Sequence, residues 1–115
     1  MKNIYIFGSN GQDGLLLSKQ ITIKFPIATQ VLFSKKKVKV LNNLKIETYF
    51  FRDFLEYLNL IEEFLKKYPP DQIYYLAAVH YSSQEAISNI KDDQSMVFTN
   101  YFLPIHLINE IYRDH

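Results

Sequence analysis

The three glycines of this chain are its most constraining feature. The sequence has 115 residues, and its only glycines are Gly8, Gly11 and Gly14, evenly spaced within seven residues. Because every other turn is made without glycine, these positions serve a more specific purpose than general flexibility. They follow a short apolar run, from Ile4 to Phe7, and precede a segment of helical periodicity. The pattern predicts a strand, a glycine loop and a helix in direct succession.

Composition limits the classes of protein to be considered. A chain of this length has room for one domain, so we expect residues 1–115 to form a single domain. The net charge of +1 argues against a nucleic-acid binder that works through bulk charge. The absence of cysteine excludes a disulfide framework, a thiolate zinc site and a cysteine nucleophile. No apolar run approaches the roughly 18 residues of a membrane helix, and we expect a cytoplasmic protein.

Apolar runs and helical patterns alternate along the chain. Four strands are predicted, from Ile4 to Phe7, Thr29 to Phe33, Lys45 to Phe51 and Gln72 to Val79, with Val38-Lys39-Val40 as an extension of the second. Three helices are predicted: one from Gln12 or Asp13 to Pro26, one opened by Asp53 and closed by Pro69, and one from Met96 to Tyr112 with a break at Pro104. In the first helix, one face is predicted to hold Leu16, Leu17, Gln20, Ile21 and Phe25.

This order of elements predicts an α/β fold. Strands that are apolar throughout and alternate with amphipathic helices indicate a parallel sheet covered on both faces. Right-handed crossovers favour the strand order 3-2-1-4. We therefore expect a Rossmann-like parallel sheet of about four strands, with helices on both faces.

The glycine loop has the composition of a phosphate-binding turn. One position must be free at positive φ, a second must lack a side chain so that a pyrophosphate approaches the backbone, and a third allows the helix to pack close to the strand. The helix N-terminus then offers unpaired N–H groups to the phosphates. Asp13 would repel a phosphate if it pointed inward, so we expect it to point away. The alternative is a tight turn in a protein that binds nothing.

The end of the second predicted strand bears on which dinucleotide is bound. NAD-binding proteins usually have an acidic residue about 20 residues past the loop, where it accepts hydrogen bonds from the ribose 2′-hydroxyl. Here that position falls in Phe33-Ser34-Lys35-Lys36-Lys37, which has no acid. Ser34 and Lys35 or Lys36 would instead suit a 2′-phosphate, which favours NADP over NAD. A solvated lysine run in a surface loop is the alternative.

Two segments resemble the extended short-chain dehydrogenases/reductases of the sugar-nucleotide epimerase/dehydratase family. Ile6-Phe7-Gly8-Ser9-Asn10-Gly11-Gln12-Asp13-Gly14 is most similar to the GDP-mannose 4,6-dehydratase members. The run from Pro70 to Ala78 resembles the family's fourth strand, and Asn100 matches an asparagine of the following helix. Phe7, Tyr75 and the Leu103-Pro104 pair depart from the family's usual residues.

The resemblance implies a set of cofactor-binding residues. Those that would wrap the pyrophosphate are Gly8, Asn10, Gly11, Gln12 and Asp13, and Gly14 completes the cofactor-binding loop. Ser34 and Lys35 would meet the 2′-phosphate, and Asp53 and Phe54 would lie against the adenine. The nicotinamide half would be lined by Leu76, Ala77 and Ala78, with Asn100 in the next helix. The substrate loop would contain His80, Ser82 and Ser83, for which a polar surface loop is an equal alternative.

The family's catalytic Tyr-x-x-x-Lys pair is missing from this sequence, since none of the nine tyrosines has lysine four positions later. No catalytic residue and no metal ligands are therefore predicted. We expect the NADP-binding N-terminal part of a nucleotide-sugar dehydratase, an epimerase or a reductase being close alternatives. We also expect a homo-oligomer, because the apolar run from Gln72 to Val79 would leave an unpaired parallel edge. A non-catalytic dinucleotide-binding or protein-interaction module is the alternative from a different class.

Overall fold

The protein has an α/β fold, in which the residues that the structure describes form a five-stranded mixed sheet and three α-helices. The computed structural model describes residues 2–35, 37–42, 45–77 and 98–113. Within these ranges the strands are β1 (Asn3–Phe7), β2 (Thr29–Phe33), β3 (Lys37–Asn42), β4 (Lys45–Phe50) and β5 (Gln72–Tyr75). The helices are α1 (Gln12–Lys24), α2 (Phe54–Lys67) and α3 (Leu103–Arg113), and a π-helical turn, Phe98–Phe102, precedes α3.

The sheet has the strand order β4-β3-β2-β1-β5. β1 pairs in parallel with both β2 and β5. β3 pairs antiparallel with β2 and with β4, so β4 runs in the same direction as β2. The predicted order 3-2-1-4 is therefore retained for the four predicted strands, but the prediction of a parallel sheet was wrong. An additional antiparallel strand separates the second predicted strand from the third.

The additional strand β3 follows from the alternation of its side chains. Val38 and Val40 are buried, whereas Lys37 is exposed and Lys39 half-buried. This period of two is typical of a strand that is covered on one face. The prediction joined Val38-Lys39-Val40 to β2, but Ser34 interrupts the chain there, because its backbone N–H and its hydroxyl both donate to the Lys37 carbonyl. The chain reverses at this point without a glycine.

The remaining predicted elements differ mainly at their boundaries. β4 ends at Phe50 and β5 at Tyr75, short of the predicted Phe51 and Val79, and Val79 lies outside the described residues. Leu76 nevertheless extends the pairing of β5, since its N–H donates to the carbonyl of Phe7 at 2.8 Å. The predicted break at Pro104 corresponds to a change from π-helical to α-helical geometry at Leu103. Proline is tolerated in the first turn of an α-helix, where no intrahelical N–H bond is lost.

The two faces of the sheet carry different cores. On one face the buried hydrophobic side chains between the sheet and α1 are aliphatic, namely Ile4, Ile6, Ile21, Ala28 and Leu32. On the other face rings from four strands and α2 pack together, and their contacts involve Tyr5, Phe7, Phe33, Tyr49, Tyr57, Phe64 and Tyr75. Aromatic side chains bury more area per residue than aliphatic ones.

Helix α1 is less well buried than its sequence predicted. Gly14 and Ile21 are buried and Leu17 is partly buried, whereas Leu16, Gln20 and Phe25 are exposed. The predicted face was therefore wrong by about one position, since the buried stripe runs through Gly14. A polar contact supplements this sparse packing: the buried amide of Gln30 accepts from the Ser18 hydroxyl and donates to the Thr22 hydroxyl.

Backbone contacts group the chain into two units, Met1–Leu76 and Ala77–His115. The first unit contains the whole sheet with α1 and α2, and the second contains the π-helical turn and α3. In the part of the chain that the structure describes, none of the helices has the length and apolar character needed to cross a membrane.

Candidate dinucleotide site at the carboxyl edge of the sheet

Four chain segments leave the sheet at one edge. β1, β2, β4 and β5 run in the same direction, so the residues that follow them lie at a common carboxyl edge. These residues include the glycine loop after β1, Ser34 after β2, Asp53 after β4 and Leu76 after β5. Ligands of open α/β sheets bind outside this edge. The fold thus places the start of each predicted cofactor-binding segment of the first unit at the edge where a ligand would be expected.

Gly8 makes the turn that begins the glycine loop. Its φ is 89°, a left-handed conformation that side chains rarely adopt. The backbone N–H groups of Gly8 and Ser9 donate to the carbonyl of Phe33 at 2.9 and 3.1 Å. The N–H of Gly11 then donates to the carbonyl of Gly8 at 3.2 Å. The loop is therefore fixed to the end of β2 and closed on itself by its own backbone.

Gly14 allows α1 to lie against the loop. A Cβ atom at this position would be 2.8 Å from the Cα of Ser9 and closer still to the carbonyl oxygen of Gly8. Both neighbours are backbone atoms, which cannot move aside as a flexible side chain can. Gly14 is therefore required by packing, as the sequence analysis expected for the third glycine.

Gly11 differs from the other two glycines because nothing in the fold requires it. Its backbone is extended, with φ −71° and ψ 166°, and a Cβ atom would be 3.5 Å from the Gly8 carbonyl oxygen, an ordinary contact. Gly11 is also the N-cap residue of α1, where a serine or aspartate would accept a helix N–H bond. A side chain would fit here and would improve the cap, yet the position has none.

The N-terminus of α1 consequently has unsatisfied donors. No side chain caps it, and the N–H groups of its first turn have no carbonyl partner within the helix. Together with the helix dipole, such a terminus attracts an anion. Asn10, Gln12 and Asp13 are exposed beside it. Asp13 adds a negative charge in this turn, so a bound anion would require its carboxylate to be directed away.

Only some of the predicted residues are brought together around one groove. A groove of about 260 Å³ between α1 and β3 is lined by Asn10 and Ser34, together with Ser9. Lys35 is exposed and does not line this groove. Ser34 is buried, and its single hydroxyl hydrogen is donated to the Lys37 carbonyl at 3.0 Å. Its oxygen can still accept a hydrogen bond, but it has no further hydrogen to donate to a phosphate.

Asp53 and Phe54 lie at the start of α2. The carboxylate of Asp53 accepts from the N–H of Glu56 at 2.8 Å, which confirms Asp53 as the N-cap residue. Asp53 lines a separate groove, of about 450 Å³, with Tyr49, Phe50 and Glu56 among its other residues. Phe54 is partly exposed and does not line that groove. The predicted contact of these two residues with an adenine therefore stays a prediction.

The other predicted residues lie at the end of the first unit, in the second unit or outside the described residues. Leu76, the last residue of the first unit, is exposed at the end of β5, and Ala77 follows it. Asn100 lies in the π-helical turn of the second unit. The remaining predicted residues, Ala78, His80, Ser82 and Ser83, lie outside the described residues.

The groove beside the glycine loop is also lined by three lysines for which the sequence predicted no role in a site. They are Lys19 of α1 and Lys37 and Lys39 of β3. Lys37 belongs to the lysine run after β2, and Lys39 belongs to the segment that was predicted to extend β2. The signal that locates both on one face is the alternation Lys37-Val38-Lys39-Val40, which becomes informative once β3 is recognised as a separate strand.

Comparison with known proteins adds no relative: no family model, no curated protein and no solved structure matches this chain.

Proposed function

We propose that this chain binds a nicotinamide dinucleotide, with the pyrophosphate on the glycine loop and the N-terminus of α1. The observation that carries the proposal is Gly11. Gly8 and Gly14 are explained by the fold alone, but Gly11 has extended backbone, room for a methyl group at an ordinary contact distance and no helix-capping side chain. A ligand that must approach the backbone at the first turn of the helix gives a physical reason for glycine at this position.

The residues of this edge fit the phosphates of such a ligand. A Cβ atom at Gly11 would stand beside the first turn of α1, where the unpaired N–H groups are. The strand, loop and helix follow one another directly, and β1 lies between two parallel strands, as in Rossmann folds. The antiparallel β3 departs from that arrangement without altering β1, the loop or α1.

We further propose that the dinucleotide is NADP and that the chain is the cofactor-binding part of a nucleotide-sugar dehydratase. NADP is favoured over NAD by the absence of an acidic residue in the segment after β2, where NAD-binding proteins hold the ribose 2′-hydroxyl. The dehydratase assignment, with an epimerase as its alternative, depends on the resemblance of residues 6–14 and 70–78. When bound, a nicotinamide dinucleotide supplies a hydride acceptor. This chain would supply its binding site, since the sequence contains no Tyr-x-x-x-Lys pair.

Calorimetric titration of the chain with NADP, NAD and 2′,5′-ADP tests this proposal. We expect NADP and 2′,5′-ADP to bind and NAD to bind more weakly. Gly11→Ser is the sharpest variant, because it is compatible with the backbone and improves the helix cap, but obstructs a pyrophosphate. It should fold as well as the parent chain and lose at least about tenfold in affinity, which corresponds to one lost charge-assisted hydrogen bond.

Lys24→Ser is the matched control, since Lys24 is exposed in the last turn of the same helix. It should leave the affinity for all three ligands unchanged. If none of the three binds to a chain whose circular dichroism shows it folded, the proposal is wrong, and a protein-interaction module becomes the better hypothesis. Equal binding by Gly11→Ser and the parent chain would also contradict it.

A further inference from the structure

The face of β3 that lies beside α1 carries lysines. Lys37 and Lys39 alternate with the buried Val38 and Val40, which belong to the opposite face. Lys39 pairs with Leu32 across the β2–β3 ladder, so its side chain shares a face with the aliphatic core residue. Lys39 is half-buried in this position. A half-buried lysine covers apolar surface with its methylene groups and keeps its charged end at the solvent side, which here is the groove.

The charged residues that line the groove beside this face are all positive. Its ten lining residues include Lys19, Lys37 and Lys39 and no acidic residue. None of these three lysines forms an ion pair with a residue that the structure describes. We refer to this space, enclosed by the start of α1, the glycine loop and β3, as the lysine groove.

The residues predicted from sequence for a 2′-phosphate are less suitable than the lysine groove. Ser34 donates its hydroxyl hydrogen to the Lys37 carbonyl, and Lys35 lies outside the groove. The same hydrogen bond closes the turn that brings Lys37 back to the edge of the sheet. The turn at Ser34 therefore serves to place the lysines of β3 rather than to bind an anion itself.

We propose that the lysine groove binds a phosphate monoester dianion and that Lys39 and Lys37, not Lys35, determine the preference for it. This inference rests on the proposed function in one respect: in the proposed dinucleotide complex, the monoester is the 2′-phosphate of NADP. Ser9 and Asn10 line the groove and also belong to the glycine loop, so a ligand whose pyrophosphate lies on the loop extends into the groove. The volume of about 260 Å³ suits a ribose phosphate, and a monoester carries close to two negative charges at neutral pH.

Neutralising single lysines tests the inference. Lys39→Gln and Lys37→Gln should each weaken the binding of NADP and 2′,5′-ADP about tenfold, the loss expected for one hydrogen bond to a charged group. Both variants should leave the binding of NAD and 5′-ADP within about twofold, because these ligands lack the monoester at the 2′ position. Lys35→Gln is the matched control and should leave all four affinities unchanged. Lys39→Arg, unlike Lys39→Gln, should retain most of the affinity of the parent chain, because it keeps the positive charge in place.

Inorganic phosphate is titrated in the same series to separate the two sources of the monoester. If no nucleotide binds but phosphate binds and Lys39→Gln abolishes it, the lysine groove stands as a site for free phosphate while the proposed function is wrong. If NADP and NAD bind equally, or if Lys35→Gln lowers the NADP affinity and Lys39→Gln does not, the inference is overturned while dinucleotide binding stands. Binding of neither nucleotides nor phosphate overturns both.

Discussion

Helices α1 and α2 begin at the same edge of the sheet, but their N-termini are built differently. The N-terminus of α2 is capped by the chain itself, because Asp53 accepts from the N–H of Glu56 and Glu56 accepts from the N–H of Arg52. The first turn of α1 begins at Gly11, which offers no side chain. The packing of the two helices differs in the same sense, since α2 buries Tyr57, Ile61 and Phe64 and α1 buries only Gly14 and Ile21.

The comparison separates two requirements of a helix that begins at the edge of a sheet, namely a stabilised N-terminus and open space in front of it. A capping side chain and a large apolar stripe stabilise α2, and the capping carboxylate occupies the place where an anion would meet the first N–H groups. Glycines leave the space in front of α1 open, but they contribute no cap and little buried area. The variants below test this division, from the largest expected effect to the smallest.

Phe64→Ala should have the largest effect, because Phe64 connects α2 to the aromatic core. Its ring lies edge-on to Phe33 and Tyr49, at centroid distances of 6.1 and 5.2 Å, and it is buried. We expect the free energy of unfolding to fall by about 4 kcal/mol, as for other buried phenylalanines. Urea denaturation followed by circular dichroism measures this change. A loss below that of Ile21→Ala, its counterpart on α1, would contradict the view that α2 is the more strongly packed helix.

Gly14→Ala should come next, because a methyl group there meets the backbone of Gly8 and Ser9. Overpacking of this kind costs about 3 kcal/mol. The same denaturation experiment applies, with Gly11→Ala as the control, since a methyl group at Gly11 makes only an ordinary contact at 3.5 Å. Equal stability of the two variants would show that the loop and α1 adjust freely to each other.

Alkaline pH should destabilise the aromatic face. Burial raises the pKa of Tyr5 and Tyr57 well above the ordinary value and that of Tyr75 to about 12, and a hydrogen bond to Glu47 raises the pKa of Tyr49 to about 12. Because the folded pKa values exceed the unfolded one, near 10, the stabilisation is complete below pH 10 and is lost as the pH rises towards the folded values. The deeply buried Tyr57 should lose up to about 1.4 kcal/mol of stabilisation per pH unit in that window, and the more exposed Tyr49 much less.

Tyr5→Phe sharpens this test, because the Tyr5 hydroxyl lies 2.7 Å from the Phe64 carbonyl and 2.6 Å from that of Tyr68, both at the end of α2. The variant should lose about 1.5 kcal/mol at neutral pH through its missing hydrogen bond. It should also show a shallower decline above pH 10 than the parent chain in urea titrations at several pH values. An unchanged slope would mean that Tyr5 does not contribute to alkaline unfolding.

Exchanging the caps should have the smallest effect. Asp53→Ala removes the side chain that accepts the Glu56 N–H, and the cost should be about 1 kcal/mol. Gly11→Ser adds a capping hydroxyl to α1 and should gain a few tenths of a kcal/mol. Thermal unfolding of both variants, with the parent chain as the reference, measures the difference. A loss of stability in Gly11→Ser would show that the fold itself needs glycine at this position.

The sequence predicted well those elements in which local pattern and tertiary packing agree. The glycine loop, β1, β2 and α2 follow from apolar runs, helical spacing and the Asp53 cap. β3 was missed because its lysines interrupt the apolar run, and because a turn without glycine or asparagine gives no local signal of a reversal. The face of α1 was misjudged because Gly14, the residue that packs most closely, has no side chain to appear in a hydrophobic pattern.

The candidate site was predictable in its backbone part and less so in its side chains. The roles of Gly8 and Gly14 follow from their spacing between a strand and a helix. The roles of Ser34 and Lys35 do not, because they depend on where the chain reverses after β2. If the chain reversed one residue earlier or later, the side chains of β3 that face the groove would move to the opposite face of the sheet.

The shared acceptor at the start of the glycine loop has an entropic consequence. The carbonyl of Phe33 receives hydrogen bonds from both Gly8 and Ser9, while the ring of Phe33 is fixed in the aromatic core, stacked on Phe7 at 4.3 Å. One rigid residue thus holds the loop before any ligand arrives. A molecule that docks there encounters a surface already in its final shape, so little conformational freedom remains to be lost on association.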